Sequence, residues 1–178
     1  MAYGVMIPTS VGAKDVDSWT RSAVCASPVE NGTAVILTGK SATAGEAEAF
    51  TAVLPTTGNG LTGVWIAGEP EVVLTTGKYK GLDSDVRNFR NEANKVFTVF
   101  KPQLGDLIEL SADCFTGAFS SNTHANCTDG ASGKWVWGNS QTASVASLKY
   151  LATKYISIGT GAVDNQRVVS YLLEVVGL

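Results

Sequence analysis

The run from Gln166 to Leu178, "QRVVSYLLEVVGL", limits the fold more than any other stretch. Val169, Tyr171, Leu173 and Val175 occupy every second position, the period of a half-buried β-strand. Comparable short runs recur through the chain: Thr33–Thr38, Phe50–Leu54, Val64–Ala67 and Val72–Thr75. Gly-, Pro- and Asn-containing turns separate them, the pattern of an all-β sandwich or barrel. Val96–Phe100 and Leu107–Ser111 flank the short connection Lys101–Asp106, "KPQLGD", and read as a hairpin. Tyr155–Ile158 reads as a strand, although Val145, Leu148, Leu151, Ala152 and Tyr155 also fit one face of a helix. Asp83–Lys95 is polar and has room for one helical turn, with Asp83 or Ser84 as its cap. The expected fold is all-β, an antiparallel barrel or sandwich with an extended N-terminal arm and little helix.

The chain divides into an arm, residues 1–20, and a single β-rich domain, residues 21–178, with a long polar loop at 116–134. The arm holds Val5, Met6, Ile7, Val11 and Trp19. It is too apolar for an ordinary disordered tail and too broken by Gly and Pro to form its own element. These five residues are expected to contact a neighbouring subunit or partner.

Charge narrows the function. Only 16% of residues are charged, against about a quarter in ordinary globular chains, and the net charge is −3. Without a basic patch the chain is not expected to bind nucleic acid. No apolar run reaches membrane-spanning length, so no membrane partner is expected. The first residues lack the basic and apolar regions of a secretory signal, which points to synthesis in a cytosol. In such a reducing compartment Cys25, Cys114 and Cys127 are expected to be free thiols.

Several motifs suggest chemistry, and each fails on context. Ala34–Ser41, "AVILTGKS", loosely matches a phosphate-binding loop, but Val35, Ile36 and Leu37 fill its loop positions and read as strand interior. Cys114, His124 and Cys127 do not have zinc-site spacing. No Gly-x-Ser-x-Gly elbow surrounds a serine. Asp83 and Asp85 open no calcium loop, because Asn88 and Asn94 stand where Gly and Glu are needed. Neither an enzyme nor a cofactor is expected. Trp135 and Trp137 share one strand face, and three roles remain open for them: core, partner surface, or sugar platform.

The central stretch runs from "GVWIAGEPEVV" through "YKGLDSDVRNFRNEANKVFTVFKPQLGDLIELSAD". Together with "ENGTAVIL" and the final "SYLLEVVG", it resembles structural proteins from the head gene clusters of tailed bacteriophages of Gram-positive hosts. The resemblance covers about half the chain and rests on turn signatures, without catalytic ones. It implies a β-rich capsid decoration protein on the virion surface. Such a protein would bind the outer head shell, meet the major capsid protein, bridge capsomers and associate with copies of itself. A tail-tube or head–tail joining subunit, or a carbohydrate-binding module, is the alternative. The 116–134 loop has no counterpart in the resemblance.

Overall fold

The computed structural model describes residues 4–7, 19–42, 47–68, 87, 89–129, 132–158 and 166–178. Its strands, in chain order, are β1 (Met6–Ile7), β2 (Thr20–Cys25), β3 (Ala34–Lys40), β4 (Phe50–Val53), β5 (Trp65–Ala67) and β6 (Val96–Phe100), then β7 (Leu107–Ser111), β8 (Phe115–Thr116), β9 (His124–Asn126), β10 (Trp135–Gly138), β11 (Ser147–Ile158) and β12 (Gln166–Gly177). A 3₁₀ turn, Ala112–Cys114, lies between β7 and β8. The chain is all-β, as the alternation predicts.

Five strands close a barrel in the order β2-β4-β3-β5-β6, and seven form a sheet in the order β1-β7-β12-β11-β9-β10-β8. Within the barrel only β2 and β4 run parallel. The barrel interior is filled by Ala23, Cys25, Val35, Ala52, Trp65, Ala67, Phe97 and Val99. A second core lies between the barrel's outer wall and the sheet. There Ala34, Ile36, Ile66 and Phe100 pack with Ile108, Leu110, Leu148, Tyr171, Leu173 and Val175. Hydrogen bonds stitch the two sheets along this seam: Ala34 N–H to the Gly133 carbonyl (2.9 Å) and Ala146 N–H to the Leu61 carbonyl (2.8 Å). Asp129 accepts from the hydroxyl and the backbone N–H of Thr57. Gly133 has a positive φ of 64°, and a Cβ there would stand 2.6 Å from the Ala34 carbonyl oxygen, so the seam requires glycine at this point.

Three sequence expectations change. First, β6 and β7 form no hairpin. β6 pairs with β2 and β5, whereas β7 pairs with β1 and β12. The connection is a crossover, and each end is already claimed: Lys101 N–H donates to the Trp19 carbonyl beside the barrel, and Gly105 N–H to the Val175 carbonyl of the sheet. Second, Val5 and Met6 are buried, at 6% and 7% exposure, against the chain's own body. β1 pairs antiparallel with β7, and Val5 exchanges hydrogen bonds with Ser111 through its N–H and its carbonyl. Glu30 accepts from Gly4 N–H and pairs with Lys134 at 3.0 Å. These two residues are therefore core, and a neighbour cannot reach them without opening the sheet. Ile7 pairs through its backbone with Glu109, and Trp19 is half-buried beside the barrel. Val11 lies outside the described residues, as do Val72–Thr75, Asp83 and Ser84.

Third, the 116–134 stretch is not purely loop, because it contains β9, which pairs with both β10 and β11. Asn126 makes this possible. Its Oδ1 accepts from Ser147 Oγ (2.6 Å) and Thr142 N–H (3.1 Å), and its Nδ2 donates to the Ser140 carbonyl (3.1 Å). The expected strand Tyr155–Ile158 is the outer part of β11, and the helix-like spacing around Leu151 has a strand explanation. β11 slips register between Tyr150 and Ala152, leaving Leu151 as an extra residue. Such a bulge shifts the alternation by one, so apolar positions on either side acquire a false three-to-four spacing.

Leu110 and Leu173 are fully buried in the shared core. Replacing either with Ala is expected to cost about 2–5 kcal/mol in urea unfolding. Lys40→Ala, at an exposed strand end, is expected to change stability by no more than about 0.5 kcal/mol. Deleting residues 2–18 removes β1 and should lower the unfolding midpoint too; an unchanged midpoint would contradict the pairing of β1 with β7.

Candidate functional site

Trp135 and Trp137 have separate roles. Trp135 is 1% exposed, and its Nε1–H donates to the Gly32 carbonyl at 2.9 Å. A buried indole needs such a partner, and this one lies across the seam, on the turn that leads into β3. Trp135 is thus core. Trp137 is half-buried and joins Phe115, Phe119, Tyr150 and Tyr171 in an aromatic cluster. Its indole stacks on Phe115 with centroids 4.3 Å apart and planes 12° apart. Tyr171 meets it edge-on at 5.1 Å, and Phe119 at 5.0 Å. Phe119 also packs on Tyr150 at 4.6 Å.

The sheet order explains the cluster. Trp137 lies on β10, Phe115 on β8, Tyr150 on β11 and Tyr171 on β12, so four strands bring their rings to one flank. Phe115 and Tyr171 are buried, whereas Phe119, Trp137 and Tyr150 are half-exposed. The patch is therefore anchored below and open above. Each ring pair adds about 0.5–1.5 kcal/mol beyond simple area burial, which holds the exposed rings in place. Burial holds the Tyr171 hydroxyl above the usual tyrosine range, and the nearby Tyr150 and Tyr155 hydroxyls add to this.

The arrangement suits contact better than chemistry. Phe115 covers one face of Trp137, and Phe119 and Tyr171 meet the indole at steep angles, so much of its surface is engaged within the cluster. Among the described residues no three His, Cys, Asp or Glu side chains come together as metal ligands. His124 sits on β9 with its Nδ1 2.9 Å from Thr123 Oγ1. Lys40, from the loop-like motif, ends strand β3, donates to the Glu48 carbonyl and lies 4.0 Å from the centre of the Phe50 ring. The segment Ala34–Lys40 is a strand throughout, so it forms no phosphate cradle. The aromatic cluster itself was only partly visible in the sequence. The Trp-Val-Trp alternation marks Trp137, but nothing local links it to Phe115, Phe119, Tyr150 or Tyr171.

Comparison with family models, with curated proteins and with solved structures finds no match to this chain.

All three cysteines are free and buried. Cys114 lies where the N-terminal strand, the Asn31 turn and the 3₁₀ turn meet, with its Sγ 3.5 Å from the Val5 and Asn31 carbonyls. Burial pushes its thiol up to about 12 and that of Cys127 up to about 11. A thiol raised in the folded state contributes stability that is complete below its unfolded value, near 9. That contribution is lost as pH climbs toward 11–12, where the unfolded chain has released protons that the folded chain still holds. Unfolding free energy should fall above pH 9 by up to about 1.4 kcal/mol per pH unit for each thiol. Cys114→Ala should flatten that slope, and iodoacetamide at pH 8 should label the thiols only after unfolding. Rapid labelling of the native protein would show that the thiols are not enclosed.

Proposed function

We propose that this chain is a virion structural protein of a tailed bacteriophage, a capsid decoration protein that binds the outer head shell and bridges capsomers. The observation that carries this reading is the half-exposed aromatic patch of Phe119, Trp137 and Tyr150, fixed on a rigid sheet. Protein interfaces draw most of their energy from a few aromatic anchors held in place before binding. The patch supplies such anchors, and the resemblance of the central stretch to phage head proteins supplies the class of partner, the major capsid protein. The body that carries the patch is compact, with two joined cores beneath it. Decoration makes no demand for a reactive centre; it needs a stable body and an adhesive face.

Expanded head shells that lack this protein provide the test. The purified chain should co-sediment with them and cover the shell in many copies by electron microscopy. Phe119→Ala and Trp137→Ala, shown to be folded by circular dichroism, should weaken binding at least tenfold, a loss of about 1.4 kcal/mol or more. A ring of copies confined to the neck or tail would favour the joining or tube role. Absence of binding to any part of the particle would overturn the proposal.

A further inference from the structure

We propose that the outer edge of β11 is a strand-acceptor site: an extended segment of the major capsid protein lies along residues 151–158 and pairs with them as an added strand. This rests on the capsid-binding reading and specifies how the shell is held.

The ladder leaves this edge open. β9 covers β11 only at Ser147–Lys149, and the cover ends where Tyr150 N–H donates to the Thr123 carbonyl (2.8 Å). Beyond that point β11 pairs with β12 alone. The register tells which backbone groups stay free. Val175 N–H donates to the Asp106 carbonyl, and the Val175 carbonyl accepts from Gly105 N–H. The odd-numbered residues of β12 thus turn their polar groups toward β7, and the even-numbered ones turn theirs toward β11. Ala152, Lys154 and Ile156 stand opposite Leu172, Ser170 and Val168 and take up those bonds. Thr153, Tyr155 and Ser157 therefore point their N–H and carbonyl groups outward. Among the described residues no backbone hydrogen bond reaches these groups, and all three residues are exposed.

The open edge begins where the aromatic patch ends. Tyr150 carries Phe119 against its ring at 4.6 Å, and its hydroxyl meets Thr153 Oγ1 at 2.9 Å. Thr153 stands opposite Tyr171 and Tyr155 opposite Val169, so Thr153, Tyr155 and Ser157 share the face of the patch. Tyr155 is 54% exposed, with the Arg167 guanidinium 4.1 Å from its ring centre. Rings at one end and a row of backbone donors and acceptors along the rest make one continuous surface.

This combination selects the occupant. A greasy face alone accepts many shapes, but donors and acceptors alternating at strand spacing are matched along their length by another extended backbone. The row offers three N–H and three carbonyl groups, enough for a segment of about six residues. Such a segment continues the line of β9. Every second side chain of it lies on the patch face, beside Thr153 and Tyr155 and toward Tyr150 and Phe119, so these positions are apolar. The added strand also suits the ribbon itself, because two strands are marginal in water and a third supports them.

Hydrogen exchange on expanded head shells that lack this protein tests the proposal, with the bound chain exchanged, released and read residue by residue. In the free chain the amides of Thr153, Tyr155 and Ser157 should exchange fast, and those of Ala152, Lys154 and Ile156 slowly. On the shell the first three should slow by roughly tenfold or more. Tyr155→Pro removes an outward N–H, at the kind of edge position where proline is tolerated. Tyr155→Ala removes the same ring and keeps the donor. The proline variant, folded by circular dichroism, should bind shells roughly tenfold or more weakly than the alanine variant. Equal binding by the two would overturn the proposal, and if the proline variant does not fold, the exchange of the wild-type chain decides. Shell binding that leaves the three amides fast overturns the strand-acceptor site and leaves capsid binding standing; absence of binding overturns both. Protection that grows with concentration in the free chain would give the edge to a second copy and overturn the partner segment.

Discussion

The structure depends on three barrel strands that are buried on both sides. In β5, Trp65 and Ala67 point into the barrel, while Ile66 points out toward the sheet, and all three are buried. β6 does the same with Phe97 and Val99 inside and Phe100 outside, as does β3 with Val35 inside and Ala34 and Ile36 outside. The barrel wall is therefore shared between two cores. Neither core closes without it: the barrel would expose its outer apolar face, and the sheet would lose the layer covering Ile108, Leu110 and Leu173. Such strands lose the clean alternation of a one-sided sheet and read as continuous apolar runs. Their side chains are close-packed on both faces, so a change of volume is felt in both cores.

Polar groups fix how the two layers meet. Hydrophobic contact alone is non-directional and would allow the sheet to slide over the barrel. The Trp135 indole donating to the Gly32 carbonyl, the Gly133 carbonyl accepting from Ala34 N–H, and Asp129 accepting from Thr57 each specify one alignment. A shift of the layers would leave the first two of these polar groups buried without partners, at a cost of about 1–3 kcal/mol each. Trp137 comes two residues after Trp135 on the same strand. The aromatic patch is thus held by the same lock that sets the packing of the layers, which suits a contact surface that must be rigid before binding.

The sequence revealed the strands better than their partners. Alternation depends only on which face of a strand is buried, and it reported correctly on Phe97 and Val99, Ile108 and Leu110, Tyr171 and Leu173. Pairing depends on distant hydrogen bonds. "KPQLGD" has the length and composition of a hairpin turn, yet Lys101 is tied to Trp19, far upstream, and Gly105 to Val175, far downstream. β9 was hidden for another reason. His124, Ala125 and Asn126 have no apolar rhythm, and the strand is held by the Asn126 side chain, whose Oδ1 accepts from Ser147 Oγ and Thr142 N–H and whose Nδ2 donates to the Ser140 carbonyl. The short Met6–Ile7 strand looked like an adhesive arm because its apolar side chains lacked a visible partner. That partner, β7, lies about a hundred residues downstream.

β12 draws these threads together. Its central residues are fixed from both edges, by β7 on one side and β11 on the other, and from one face by the shared core. Tyr171 belongs at once to that core and to the aromatic patch. Exposed apolar side chains are therefore left to the places where the flanking strands stop: the rings at the β8–β10 flank, and the outer β11–β12 ribbon beyond its pairing with β9 and β7. The division has a physical cause. A sheet's middle is saturated by its ladders, whereas its margins keep unpaired backbone groups and apolar side chains that natural proteins must either blunt or use. Here the margins are not blunted by Pro or bulges at Tyr155 and Val169, and the Leu151 bulge lies at the base of the ribbon, where it turns Tyr155 onto the same face as Tyr171. One extra residue in β11 thus extends the apolar face of the core beyond the body, and makes an exposed surface continuous with the interior that supports it.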